Sequence, residues 1–309
     1  MATYQTFTEI GIKEDISDII TNLTPTKTPF QSNIGTEKIN NVLFQWQEDS
    51  LRAVATNANV EGADPSDITV LPTVMRSNVT QILQETVKVS ETVEAVSAYG
   101  RAKEMAYQMR KSSSQVKRDF ENALVGTAQT VVTGSAAVAR QFAGVQPQIV
   151  STNITYNAGT IAVPVALTEA KLLTNLQTVF TAGGEPTRIM VTPSNSVVVA
   201  SFAAAAGRYR TIPGEKNQSE SGIVNVVNFY VSPFGEQKIE INRFLKAYNT
   251  LVYDPAMWAK AVLRPWGRTA LAKTGDATKQ MIVSEQSLKH KNFAASGLLV
   301  EGVSGYAPV

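Results

Sequence analysis

Between residues 90 and 126 the apolar positions fall at Val93, Val96, Tyr99, Ala102, Met105, Met109, Val116, Phe120 and Leu124, the three-and-four spacing of one helix face. Ser90 stands where an N-cap belongs, and Gly126 stands where a helix would stop. Gly100 interrupts the stripe at a cost of about 1 kcal/mol relative to Ala. The pattern therefore predicts a break at Gly100 and a helix over 101–125, about 37 Å long. Two strand patterns precede it. Residues 42–51 set Phe44 and Trp46 on one face, and Val74 to Ser90 ends in strict alternation. The Ala-, Asn- and Gly-rich residues 52–72 between them read as loop. Twenty loop residues are many for a hairpin inside a compact domain, so a projecting two-stranded loop is expected.

At the front, Ile16, Ile19, Ile20 and Leu23 predict a short helix over 15–23, and Pro25 and Pro29 then force extended backbone. This reads as an arm that needs another surface to lie on. Residues 127–165 are irregular. Thr168 caps a helix carrying Leu172, Leu173, Leu176, Val179 and Phe180, which Gly183-Gly184 stops. Arg188–Thr192 reads as a buried strand, and Pro193 opens a helix over 197–205. A polar loop over 209–222 and strands over 224–231 and 238–242 complete an α/β lobe spanning 165–250. Five short antiparallel strands are expected over 251–253, 259–263, 269–273, 280–285 and 298–303.

Composition narrows the function. Charged residues make up only 17% of the 309 residues, against about 25% in an ordinary soluble domain. The mean hydropathy is −0.06, so Thr, Ser, Asn and Gln fill the deficit. Cysteine is absent and histidine occurs once, at His290. Disulfide frameworks, thiolate nucleophiles, Cys/His zinc sites and iron–sulfur clusters are thereby excluded. No secretory signal is visible, and the longest apolar stretch, residues 197–206, is half of what a bilayer span needs. A soluble cytoplasmic product is expected. The net charge of +2 is too small to argue for nucleic-acid binding by the whole molecule. Its distribution is uneven. Residues 1–67 hold ten acidic against four basic groups, and residues 101–118 hold six basic groups against Glu104. An acidic end and a basic middle are able to pair within one chain or between copies.

Candidate chemistry is thin. No P-loop, dinucleotide-binding glycine motif or nucleophile elbow occurs. Two lysines flank His290 and would hold its imidazole neutral, at a surface or sheet end. Glu61, Asp64 and Asp67 lack the ligand ladder of an EF-hand and read as a solvated loop tip rather than a metal site. Glu48 and Asp49 have no partner carboxylate for glycoside hydrolysis. Met105 and Met109 read as core. No catalytic residue, metal or cofactor is expected. Low surface charge with protruding arms suits lateral assembly, because interfaces deplete charge at their centres.

Several ordered motifs then carry a resemblance. They are Lys13-Glu14-Asp15-Ile16-Ser17-Asp18-Ile19-Ile20, Pro25-Thr26-Lys27-Thr28-Pro29-Phe30, Phe44-Gln45-Trp46-Gln47-Glu48-Asp49-Ser50-Leu51 and Glu61-Gly62-Ala63-Asp64. Arg76 to Ile82, Val87 to Ser90, Gly100-Arg101, Ala106-Tyr107-Gln108 and Lys117 to Glu121 continue it. Over residues 9–146 the chain resembles the major capsid proteins of tailed bacteriophages with the HK97-type fold, in a podovirus-associated branch. Beyond residue 150 only the layout is similar.

The resemblance implies an α+β fold. Its parts would be an N-terminal arm (1–41), an extended β-hairpin loop (42–88), a peripheral domain with a long spine helix (89–164), an axial α/β domain (165–250) and return strands to the peripheral domain (251–309). It implies hexamers and pentamers forming an icosahedral shell around double-stranded DNA, assembled in the host bacterial cytoplasm and carried in the virion. A scaffolding protein, a portal and a cement protein are implied partners. The start at Met1-Ala2 suggests a scaffold on a separate chain. Inter-subunit contacts are expected at Asp15, Asp18, Phe30, Trp46, Glu48, Glu61, Asp64, Arg101, Arg110, Lys111, Lys117 and Arg118, with Gly100 as a hinge. Some family members crosslink through a loop lysine. Residues 43–87 hold none, so non-covalent locking is expected. The competing readings are an encapsulin-like cellular shell and, in a different class, a carboxylate-based hydrolase or carbohydrate-binding module.

Overall fold

The computed structural model describes residues 24–302 apart from 63, 65–66, 68–69, 97–102, 158–164 and 206–228. The expected helix over 15–23, the polar loop over 209–222, and Asp15, Asp18, Gly100 and Arg101 lie outside the described residues.

The chain enters through a five-residue helix α1 (Pro29–Asn33) and an edge strand β1 (Gly35–Lys38). The hairpin pair β2 (Leu43–Glu48) and β3 (Val74–Val79) stands apart as a two-stranded sheet. β4 (Gln81–Ser90) follows directly, so the expected single strand over 74–90 is two strands broken at Thr80. Thr80 is fully buried and its hydroxyl donates to Glu285, which fixes the break. Ser90 caps α2 (Glu91–Ala95), accepting from the Val93 amide. The spine helix α3 (Glu104–Glu121) runs on into a π-helical turn over Asn122–Gly126.

The last third of the chain supplies two 14-residue strands, β10 (Trp258–Leu271) and β11 (Ala277–His290). With β1 and β4 they form a four-stranded sheet in the order β1-β10-β11-β4. The sequence suggests two strands where β10 is one, because Pro265 and Gly267 read as breakers. The register shifts between Val262 and Gly267 absorb both. β1 pairs only with Ala259 to Val262, so Pro265 lies on an unpaired edge where its missing N–H costs no ladder bond. α3 lies on one face of this sheet: Met105 and Met109 pack with Val89 and Ile282.

A second, six-stranded mixed sheet has the order β5-β12-β9-β6-β8-β7, from β5 (Ile154–Tyr156), β6 (Arg188–Val191), β7 (Phe229–Ser232), β8 (Gly235–Ile241), β9 (Asn249–Tyr253) and β12 (Gly297–Val300). α4 (Glu169–Thr181), capped by Thr168, buries Leu172, Leu176 and Val179. Leu172 and Leu176 pack with Ile189, Val191 and Leu299, and with Val199 of α5 (Pro193–Ala205). The expected α/β lobe thus borrows strands from outside 165–250. β9 and β12 belong to its sheet rather than returning to the other one, because β9 bridges β6 and β12 by antiparallel pairing on both sides. The main core joins the lobes, with Phe120, Leu124, Phe142, Leu251, Trp258 and Leu298 in one apolar cluster.

Candidate assembly surfaces

The loop base is built by strand alternation. Phe44 and Trp46 face inward from β2, stacked at 5.5 Å, and pack with Ile39, Ala261 and Phe293. At the mouth of the hairpin, Arg76 pairs with Glu48 and lies 4.4 Å over the Phe293 ring, while Glu48 accepts the Phe293 amide at 2.7 Å. Asn78 closes the base from within. Fully buried, it donates to the Leu288 carbonyl at 2.7 Å and accepts the Ala143 amide at 2.8 Å. Above this base every described residue from Asp49 to Met75 is exposed, including Leu51 at 97% and Val54 at 102% of full accessibility. A lone chain gains nothing by presenting such apolar side chains to water.

The arm root is held by a buried acid. Glu121, at the end of α3, accepts the Phe30 amide at 2.8 Å, the Gln31 amide at 3.0 Å and Asn242 Nδ2 at 2.7 Å. Those two amides are the orphan donors of the first turn of α1, where Pro29 has none to offer. Burial pushes the Glu121 carboxyl above its usual range, against the pull of these hydrogen bonds. Phe30 has no exposed surface and packs against Tyr253 and Trp258, at 5.4 and 5.8 Å between ring centroids.

His290 is wholly buried, not at the surface. Its ring stacks 3.8 Å from Trp258, nearly parallel. Nδ1 donates to the Gln148 carbonyl at 2.7 Å, since a carbonyl only accepts, so Nε2 accepts from the Ser296 hydroxyl at 3.0 Å. Ser296 in turn accepts the Trp258 indole N–H at 2.9 Å. The imidazole is neutral as expected, but for another reason. Desolvation pushes its pKa down to about 3. The flanking Lys289 and Lys291 lie on the opposite side of the pleat, bonded to Glu37 and to the Ala256 carbonyl.

The expected contact residues therefore divide. Phe30 is in this chain's own core and has nothing to offer a neighbour. Trp46, 8% exposed, and Glu48 are likewise occupied within the chain at the loop base. Glu61 and Asp64 stand exposed on the loop, and Arg110, Lys111 and Lys117 stand exposed on α3. Arg118 is half-buried beside Phe244. The structure does not bring the acidic loop and the basic helix together. α3 covers the sheet face carrying Val89 and Ile282, whereas the loop base covers the opposite face, where Ala261 and Lys289 meet Trp46. Asn78, Gln148 and Glu121 have no sequence signal, because isolated polar residues in mixed segments read as surface. Among the described residues no group of three or more metal-ligating side chains occurs, and no helix is long and apolar enough to cross a membrane.

A family model described as the SU10 major capsid protein matches residues 1–304. The chain belongs to this capsid protein family. The major capsid protein of Escherichia phage Phieco32 is similar at 31% identity over 344 residues, covering 96% of both chains. Among solved structures, the cyanophage A-1(L) capsid matches with a TM-score of 0.68 at 11% identity, over 95% of this chain and 98% of that one. The SrpI encapsulin of Synechococcus elongatus matches at 0.59 and 9%, over 94% and 95%. The fold is the HK97 type, and the SU10 family is structural rather than enzymatic, which sets aside the hydrolase and carbohydrate-binding readings. A major capsid protein is a building block of the virion shell, and the exposed hairpin of this member is a surface that shell formation can cover.

Proposed function

We propose that this chain assembles as hexamers and pentamers into an icosahedral head that encloses double-stranded DNA without reading its sequence. The observation that carries this is near end-to-end identity of 31% with a phage major capsid protein. Residues 1–41 act as the arm, 42–88 as the extended loop, 89–164 as the peripheral domain and 165–250 as the axial domain, completed by strands from 251–309. The loop, with Glu61 and Asp64 near its tip, lies over a neighbouring copy and buries Leu51, Val54 and Val60 there. No lysine lies within residues 43–87, so this contact is held without a covalent crosslink. Assembly takes place in the host bacterial cytoplasm, with a scaffolding protein, a portal and, on the finished shell, a cement protein as partners. The encapsulin likeness, at 9% identity, is one of fold alone, so a cargo-filled cellular shell is the disfavoured reading. Purified particles decide between them. Nuclease-protected duplex DNA of one defined length supports the phage head, and an enzyme cargo without DNA supports the encapsulin-like shell.

A further inference from the structure

Two cavities of about 200 and 400 Å³ adjoin along the arm root and share Thr24 and Thr26 as lining residues. The first runs beside α3, where Arg110, Lys111 and Arg118 line it. The second holds Lys27 and Arg243. No carboxylate lines either one, and none of these five cations has an acidic partner among the described residues. Four of the five are exposed. The fifth, Arg118, leaves its Nε–H buried with no acceptor. A buried charged donor without an acceptor is costly, so the wall is shaped for an anion that the described residues do not provide.

We propose that this groove holds phosphates of the DNA backbone on the inner side of the shell. The inference rests on the phage-head reading. Shell subunits are related by rotations about axes normal to the shell, so a neighbour's loop stays on the loop's own side of the wall. The groove is on the α3 side of the sheet, out of that loop's reach. The acidic segment preceding Thr24 carries Glu9, Glu14, Asp15 and Asp18 against Lys13, a net of −3. The groove's five cations and the exposed Lys117 of α3 together outnumber that net charge. The hydroxyl of Thr26 supplies a neutral donor beside the charges. Contacts of this kind position DNA without reading bases.

The test uses the full chain, unassembled, with a labelled duplex of about 20 base pairs, and follows anisotropy against potassium chloride. R110Q/K111Q/R243Q is compared with wild type and with K38Q/K171Q/K279Q, which removes the same charge elsewhere. The groove variant is expected to bind at least tenfold more weakly at about 0.1 M salt. Its salt slope should be shallower by about 2.7, roughly 0.9 for each lost phosphate contact. The remote variant should follow wild type. Equal losses in both variants would overturn the assignment. So would unchanged binding in the groove variant with faster proteolysis of residues 1–22, which would give the groove to the acidic arm. Particle formation by the groove variant, scored separately, reports on the shell reading and not on the groove.

Discussion

Acid should destabilise this protein through His290 in a manner that one substitution removes. The neutral ring is buried against Trp258, with both nitrogens hydrogen-bonded and its folded pKa near 3, against 6.5 when free. A base with a depressed folded pKa takes its proton first in the unfolded chain. Stability is therefore complete above pH 6.5, falls as pH drops below that value, and levels once pH passes below about 3. Between the free and folded values this corresponds to about 5 kcal/mol, of which about 3 kcal/mol is expressed by pH 4.5. His290 is the only histidine, so no other imidazole titrates in this window. Carboxylates, the raised Glu121 among them, titrate alike in both proteins and cancel in a difference. The assay is urea unfolding of the unassembled chain from pH 7.5 to 4.5, for wild type and His290→Gln. The variant loses the stacking on Trp258 at every pH, which is a constant offset. The gap between the two should narrow by about 1.4 kcal/mol per unit below pH 6.5. Parallel profiles would refute a buried, neutral imidazole.

Glu121→Ala leaves the buried Phe30 and Gln31 amides unpaired and Asn242 with only the Met190 sulfur, and should cost about 3 kcal/mol or more. Chain cleavage near residues 24–34 under limited proteolysis should accelerate with it. Because the folded carboxyl is raised, its contribution is present below about pH 4.5 and lost as pH rises through the raised value, and Glu121→Gln should abolish that trend. Gly126→Ala drives a methyl to 2.6 Å from the Phe244 carbonyl and into Asn122, so thermal melting should fall by an amount equal to about 1–3 kcal/mol. Trp46→Ala should cost about 3–5 kcal/mol by emptying the loop base. Replacing loop residues 51–71 by a short Gly-Ser linker should leave the melting temperature within a few degrees while abolishing shell formation, scored by electron microscopy.

Helices were the most legible elements, because Met105, Met109, Val116 and Phe120 repeat at helical spacing and Ser90 and Thr168 cap by side-chain chemistry that sequence displays. The short strands β1 and β5 were not. Gly35 to Lys38 and Ile154 to Tyr156 owe their extended form to backbone pairing at sheet edges, which no side-chain pattern records. β10 looked like two strands because a bulge at an edge tolerates Pro265. The membership of β9 and β12 in the second sheet is a long-range pairing, invisible to local periodicity. The projecting loop was legible as a long Ala-, Asn- and Gly-rich insertion between two strands, and every described residue of it is exposed. The polar rivets were hidden for a general reason: Asn78, Glu121, Gln148 and His290 acquire their roles only when distant segments supply their partners. Lysines beside His290 even suggested the surface, although alternation along β11 sends them to the other face.

The central claim is shell formation, and sedimentation velocity of the purified protein tests it most directly, with negative-stain images of whatever sediments fast. The account predicts megadalton closed spheres, or hexamers and pentamers that polymerise. A chain that remains a 33.3 kDa monomer, even with host lysate added, would contradict it.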